Sequence, residues 1–341
     1  MNRRVSLPTA PHTRRTFLKL SSAAGIAFAA KTLHAQDALP IDVAAVFSFS
    51  LNEPWVSRVH EALLNAQYQG KINYLFTQRA KGDAYIDALR GYAQRGVKLI
   101  VSENFENPEP IYTLAKSYPE ISFLVGSTGR PQQPNLSVFD NHIHETTYLA
   151  GMIAGGMSAS GIISLVAGHD VPKTNRLLHA FIDGAKEINP DATFLTTFIN
   201  SWSDPTKAQH AALEHIKKGA DIIYAERAGV EAIAQQHKKF VINNTISAHQ
   251  QYPDTVLASA VWDASPIITR ALLMVERGTF KADDYGKYSH IRYQGSMLSP
   301  KESFTRKIPQ ALLAHVNARY QTILDGSFTI KPNETPITYP A

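Results

Sequence analysis

The sequence predicts an α/β protein made of two successive open units, each a parallel sheet with helices on both faces. Three observations carry this expectation. Short β-rich apolar runs alternate with helical patterns from residue 41 onward, and the alternation restarts near residue 145. The chain is also 341 residues long, enough for a large core in each of two domains.

The elements follow in order. Residues 41–49 (IDVAAVFSF) read as a buried strand, and after the turn Leu51-Asn52-Glu53-Pro54 the side chains Val56, Val59, Leu63 and Leu64 share a helical face. Strands are expected at 72–76, 98–102, 121–126 and 136–139, with helices at 84–93 and 110–117 between them. In the second unit a helix at 145–158 is rich in Ala, Gly and Met, which suits close packing. A strand at 162–167 precedes a helix at 176–188 stopped by Asn189-Pro190, and 193–198 is the next strand. Asp204 is an expected N-cap, with Pro205 in the first turn and Gly219 after the helix end. Strands at 221–225, 239–242 and 257–261 complete the series, and a helix begins near Ala264.

Composition narrows the function. Charged residues make up 18% of the chain and apolar residues 44%, too balanced for disorder. The net charge of +5 is misleading. Residues 1–35 hold Arg3, Arg4, Arg14, Arg15, Lys19 and Lys31 and no acid, so the remainder carries 28 basic against 29 acidic residues. The order Arg14-Arg15, a short apolar run over 20–30, then Leu33-His34-Ala35 reads as a twin-arginine export signal. A soluble periplasmic protein is therefore expected, and no nucleic-acid partner. The absence of cysteine excludes disulfides, thiolate metal sites, a cysteine nucleophile and lipid attachment through an N-terminal cysteine.

In open parallel sheets ligands sit beyond the carboxyl ends of the strands. Those positions hold Ser50, Asn52 and Trp55; Glu103, Asn104 and Phe105; Asn200, Ser201 and Trp202; Glu226 and Arg227; Asn244; and Trp262 with Asp263. All three tryptophans fall at such ends. Flat aromatic faces beside Asn, Asp and Glu suit a planar polar ring or a sugar. Trp55, Phe105, Trp202 and Trp262 are thus candidate platforms, with Asn104, Asn244 and Asp263 as edge readers. Asn244 could equally form a turn, and Asp263 could cap the helix that follows. Catalytic apparatus is not visible. The loop Gly168-His169-Asp170-Val171-Pro172-Lys173-Thr174 lacks the glycine that precedes the lysine of a phosphate loop. No nucleophile elbow or H-E-x-x-H is present, and 140–145 (DNHIHE) is not read as a metal site. No enzyme activity, cofactor or metal is expected.

Several segments resemble the basic membrane protein (BMP) family of ABC-transporter substrate-binding proteins, which includes purine-nucleoside receptors. They are Tyr118-Pro119-Glu120-Ile121-Ser122-Phe123, residues 148–155 (YLAGMIAG), Phe181-Ile182-Asp183-Gly184-Ala185 with Asn189-Pro190, Ser201-Trp202-Ser203-Asp204-Pro205 and residues 218–223 (KGADII). The likeness runs from about residue 41 to 300. It implies a type I periplasmic-binding-protein-like fold, two Rossmann-like lobes around a ligand cleft. Lobe 1 is expected at 36–142, lobe 2 at 143–256, and hinge crossovers with C-terminal segments at 257–341. In nucleoside-binding members aromatic residues sandwich the base while an Asp and a Lys hold the ribose. Trp55 matches the N-terminal aromatic. Asn243-Asn244-Thr245 stands where the family has Gly-Val-Asp, and Trp262 stands where it has the Lys. The resemblance therefore implies a purine nucleobase-like ligand smaller than a nucleoside, an ABC permease of the inner membrane as partner, and a monomer. The alternatives are an exported enzyme acting on a nucleoside-like molecule and a periplasmic ligand sensor.

Overall fold

The computed structural model describes residues 40–105, 107, 109–299 and 308–337. The expected signal at 1–35 lies outside them, as do Glu106 and Pro108 of the loop after the third strand. The first sheet contains β1 (Ile41–Val46), β2 (Ile72–Thr77), β3 (Leu99–Glu103), β4 (Ser122–Gly126) and β5 (Leu136–Phe139), all parallel, in the order β2-β1-β3-β4-β5. Helices α1 (Pro54–Tyr68), α2 (Asp83–Gln94) and α3 (Glu109–Ser117) connect its strands. Strand alternation divides the core between the two faces. Val43 and Ala45 pack with Val59 and Leu63 of α1, whereas Ala44 and Val46 pack with Leu89 of α2 and Ile111 of α3.

The chain then passes into α4 (His144–Met157) and a second sheet. Its strands are β6 (Ile162–Ala167), β7 (Thr193–Phe198), β8 (Ile222–Ala225), β9 (Phe240–Thr245), β10 (Val256–Trp262) and β11 (Ser296–Ser299), ordered β11-β10-β9-β8-β6-β7. Among the described strands of this sheet, the β10–β11 pair alone is antiparallel. Helices α5 (Pro172–Ile188), α6 (Pro205–Lys217) and α7 (Glu231–Gln236) lie between strands. Asp204 caps α6 by accepting the Lys207 N–H at 3.0 Å, and Pro205 follows it, as the sequence punctuation required. Helix α5 starts four residues before its expected position because Pro172 opens it at the first turn. The short α7, the C-terminal α9 (Gln310–Leu324) and the edge strand β11 have no counterpart in the sequence reading.

Three passages of chain link the two lobes. Residues 140–143 lead from β5 to α4. Beyond β10 the chain returns to the first lobe, where α8 (Ser265–Glu276) packs on α1. The segment 281–289 runs beside β5, with Val138 N–H donating to the Asp283 carbonyl at 3.1 Å, before β11 rejoins the second sheet. A histidine cluster occupies this hinge. His144 and His290 meet edge to face at 5.1 Å, and His290 Nδ1 lies 2.8 Å from Glu145 Oε1. Burial pushes His142 down to about 4 and His144 to about 3, so both are neutral at pH 7.

The second lobe depends on the close approach of α4 and α5. A Cβ placed on Gly151 would fall 2.1 Å from the Phe181 carbonyl oxygen, and one on Gly184 would fall 2.0 Å from that of Tyr148. Both contacts are with backbone, so neither helix can yield without separating from the other. Gly151→Ala and Gly184→Ala should each lower stability by about 3 kcal/mol, read as a lower midpoint in urea. The control Gly91→Ala, in α2 with open space around it, should leave the midpoint unchanged or slightly raised. Equal midpoints for all three variants would contradict this packing.

Candidate functional site

Residues following β1, β3, β7 and β8, together with the β2–α2 loop, enclose a cavity of about 480 Å³ between the lobes. This volume lies in the range of small-molecule pockets. Trp55 enters from the first turn of α1, where Glu53 caps the helix by accepting the Val56 N–H at 2.9 Å. Its indole Nε1–H donates to Asp140 Oδ1 at 3.1 Å. The Phe139 and Trp262 rings lie 5.2 and 5.3 Å from it, and Phe105 meets it edge-on at 5.5 Å. Gly126 permits this placement, since a Cβ there would sit 2.3 Å from Trp55 Cη2.

Beside Trp55, the end of β3 supplies Glu103, Asn104 and Phe105. Asn104 is anchored by its N–H to the Gly126 carbonyl at 2.8 Å, and its Oδ1 accepts from Asn107 N–H at 2.9 Å. Glu103 is 3% exposed; its Oε1 accepts from both the N–H and the hydroxyl of Ser48, at 2.7 and 2.6 Å. Burial pushes its carboxyl up to about 7, against the lowering effect of the Ser48 bonds.

The second lobe contributes Trp202 and Arg227. Arg227 donates to Glu226 Oε1 at 2.7 Å and Oε2 at 3.0 Å, and to the Trp202 carbonyl at 3.1 Å. It also reaches across the cleft to within 3.9 Å of Glu53 Oε1. Burial opposes its charge, but Glu226 and Glu53 outweigh that and hold its pKa above the ordinary value. Lys173, at the start of α5, places its ammonium 3.4 Å from the Phe105 ring centre and 4.6 Å from that of Trp202. One cation thus sits between an aromatic ring of each lobe. Burial lowers its pKa.

The structure brings four of the seven expected site residues, Trp55, Asn104, Phe105 and Trp202, around this cavity. Asn244 lines a smaller adjoining cavity with Trp202 and Glu226, and its amide is engaged by the Tyr224 hydroxyl and Thr245 Oγ1. Next to it Thr245 adopts φ +67°, a strained conformation for a β-branched residue. Trp262 and Asp263 lie away from this cavity. Trp262 is fully buried, its ring 5.3 Å from that of Trp55, and its Nε1–H donates to Ser289 Oγ at 2.9 Å. Asp263 Oδ1 accepts the Ser265 N–H at 2.8 Å at the start of α8, on a groove separate from this cavity. Glu103 and Arg227 are functional candidates that the strand-end rule located but did not select. Lys173 was visible only as part of a rejected phosphate loop.

Two α/β lobes joined by three passages of chain and flanking a cavity with aromatic and polar walls are the architecture of two-lobed solute-binding proteins. Residues 44–286 match the family described as ABC transporter substrate-binding protein PnrA-like (Bmp), and the chain belongs to that family. It is 30% identical over 196 residues to a protein of Haloferax volcanii named as an ABC transporter glucose-binding protein, covering 57% of this chain and 50% of that one. It is 29% identical over 199 residues to a purine-binding protein of Brucella abortus, covering 58% and 57%. The chain therefore spans about half the length of these relatives. An ABC transporter solute-binding protein from Aeropyrum pernix shares the fold, with a TM-score of 0.72 at 18% identity over 87% of this chain and 94% of that one. Among the described residues, no helix is long and apolar enough to cross a membrane.

The Lys173 contact spans the two lobes. A desolvated cation–π contact contributes about 2 kcal/mol, enough to change an equilibrium between closed and open lobes more than tenfold. Lys173→Met, which keeps the length and removes the charge, should therefore enlarge the radius of gyration of the ligand-free protein in small-angle scattering. An unchanged scattering curve would show that the contact does not hold the lobes.

Proposed function

We propose that this protein is the exported receptor of an ABC importer, capturing a small planar heterocycle of the purine nucleobase type by lobe closure and presenting it to an inner-membrane permease. The observation that carries the reading is the cavity itself. Aromatic side chains from both lobes, Trp55 and Phe105 on one side and Trp202 on the other, wall a space edged by Glu103 and Asn104. Stacking supplies affinity to a flat ring, and the polar edge supplies specificity. A ligand drives closure only by making tighter contact with the closed form, and a cavity walled by both lobes meets that condition.

Two further features favour a free base over a nucleoside. The position at which nucleoside binders carry a ribose-holding Lys is Trp262, packed behind Trp55 within the hinge. The family's ribose-binding Asp is replaced within Asn243-Asn244-Thr245, whose side chains are engaged by Glu231, Tyr224 and Asn141. The purine-binding name of the Brucella relative agrees with this reading. The glucose-binding name of the Haloferax relative favours a second one, a hexose stacked on the same rings.

The test is a thermal-shift screen of free purine bases, their nucleosides and hexoses against the mature protein. A ligand of micromolar Kd at millimolar concentration stabilises by about 4 kcal/mol. A free base should give the largest shift, and Trp202→Ala should weaken its binding at least tenfold. Larger shifts with nucleosides than with every free base would overturn the nucleobase assignment. A response to hexoses alone would replace it with the second reading, and turnover of any bound compound would defeat the receptor assignment.

A further inference from the structure

Glu103 is one of the residues lining the cavity, and its two carboxylate oxygens have unequal surroundings. Oε1 takes both Ser48 donors, whereas Oε2 is buried and has no hydrogen-bond partner among the described residues. The next residue, Asn104, also lines the cavity. Its Oδ1 is engaged by Asn107, leaving the amide –NH₂ as its available donor. An acceptor and a donor thus stand side by side at one strand end.

Resting on the heterocycle reading above, we propose that Glu103 sets the ligand specificity, its Oε2 accepting an N–H of the ligand while the Asn104 amide donates to a neighbouring ring acceptor. The ligand class is a heterocycle with a donor and an acceptor on adjacent atoms, such as an aminopurine.

A structural role alone leaves Oε2 unexplained. A buried carboxylate that serves only the fold has both oxygens satisfied or a cation beside it. The groups packed on Glu103 supply neither. Ser48 at the end of β1 satisfies one oxygen, and Glu53 at the start of α1 adds like charge. The Tyr85 hydroxyl of α2 bonds to the Glu103 main-chain carbonyl and to Ser102 rather than to the carboxylate. The other charged groups lining the cavity are Lys81 and Asp83 of the β2–α2 loop and Arg227, which is paired with Glu226. A ligand N–H is the missing donor.

The arrangement makes binding proton-linked. Before binding, burial holds the carboxyl near 7, so it is largely protonated at pH 6 and largely ionised at pH 8. A donated N–H favours the ionised form and lowers the pKa, so binding releases a proton below pH 7. Affinity therefore rises with pH and levels off above 7, a gain of about tenfold between pH 6 and pH 8.

Titration calorimetry at pH 6 and pH 8, in two buffers of different ionisation enthalpy, tests this with adenine and glucose as probes. Wild type should bind adenine about tenfold more tightly at pH 8, with a buffer-dependent heat at pH 6 that reports proton release. Glu103→Gln keeps the shape and an acceptor for Ser48. It should fold, as checked by circular dichroism, bind adenine at least tenfold more weakly than wild type at pH 8, and lose both the pH dependence and the buffer dependence. Equal adenine affinity at the two pH values, or a pH dependence that survives in Glu103→Gln, would overturn the assignment of Glu103 while leaving the heterocycle reading intact. Binding of glucose and not adenine, with proton release, would overturn the heterocycle reading and keep Glu103 as the acceptor, then of a sugar hydroxyl. Glucose binding without proton release, or no heat from either probe, would overturn both.

Discussion

A chain of three hydrogen bonds ties the cleft wall to the hinge. Trp55 Nε1–H donates to the Asp140 carboxylate, Ser289 Oγ–H to the Asp140 carbonyl, and Trp262 Nε1–H to Ser289 Oγ, at 3.1, 2.9 and 2.9 Å. Asp140 belongs to the first passage between the lobes, Trp262 adjoins the second, and Ser289 adjoins the third. One buried network therefore sets the relative placement of all three passages and of the aromatic side chain that walls the cavity. Polar groups buried in this way are costly unless every member is satisfied. A change in hinge geometry must consequently be felt at Trp55. This is the physical link between lobe position and the shape of the binding space.

Around that fixed wall the charges are arranged asymmetrically. Arg227 is held by Glu226 within its own lobe and faces Glu53 across the cleft. Lys173 rests on two aromatic faces, one from each lobe. Glu103 retains an oxygen without a hydrogen-bond partner among the described residues. The fold has thus neutralised the strongest charge locally and left the polar capacity of the cavity on the first lobe. Such a division suits sequential capture, in which a ligand edge is read on one lobe and the rings of the other close over it.

Much of the fold was legible because most of its strands are short apolar runs that end at clear punctuation. Strands β5, β6 and β7 begin and end at the expected residues, and Asp204-Pro205 opens α6 as read. The edge strand β11 was not legible, since it has four residues and pairs, among the described residues, with β10 alone, a pairing that local pattern cannot encode. At the candidate site, the rule that ligands lie beyond strand ends pointed to loops that line the cavity but could not say which side chains turn inward. Trp262 shows why: its position at a strand end is real, but the return of the chain to the first lobe after β10 buries the ring against Trp55. Asp263 had two readings from sequence, and the Ser265 N–H takes its carboxylate for the start of α8. Lys173 became visible only when Phe105 and Trp202, 97 residues apart in sequence, met across the cleft.

The central claim is that the lobes close on a bound solute, and a distance across the cleft tests it most directly. The chain has no cysteine, so a pair introduced at exposed positions, Ala84→Cys on the first lobe and Lys207→Cys on the second, can be spin-labelled uniquely. Pulsed electron–electron resonance would be recorded with and without the compound that most stabilises the protein. The account predicts that saturation draws the distance distribution into a single shorter population. A distribution unchanged at saturating ligand would contradict it.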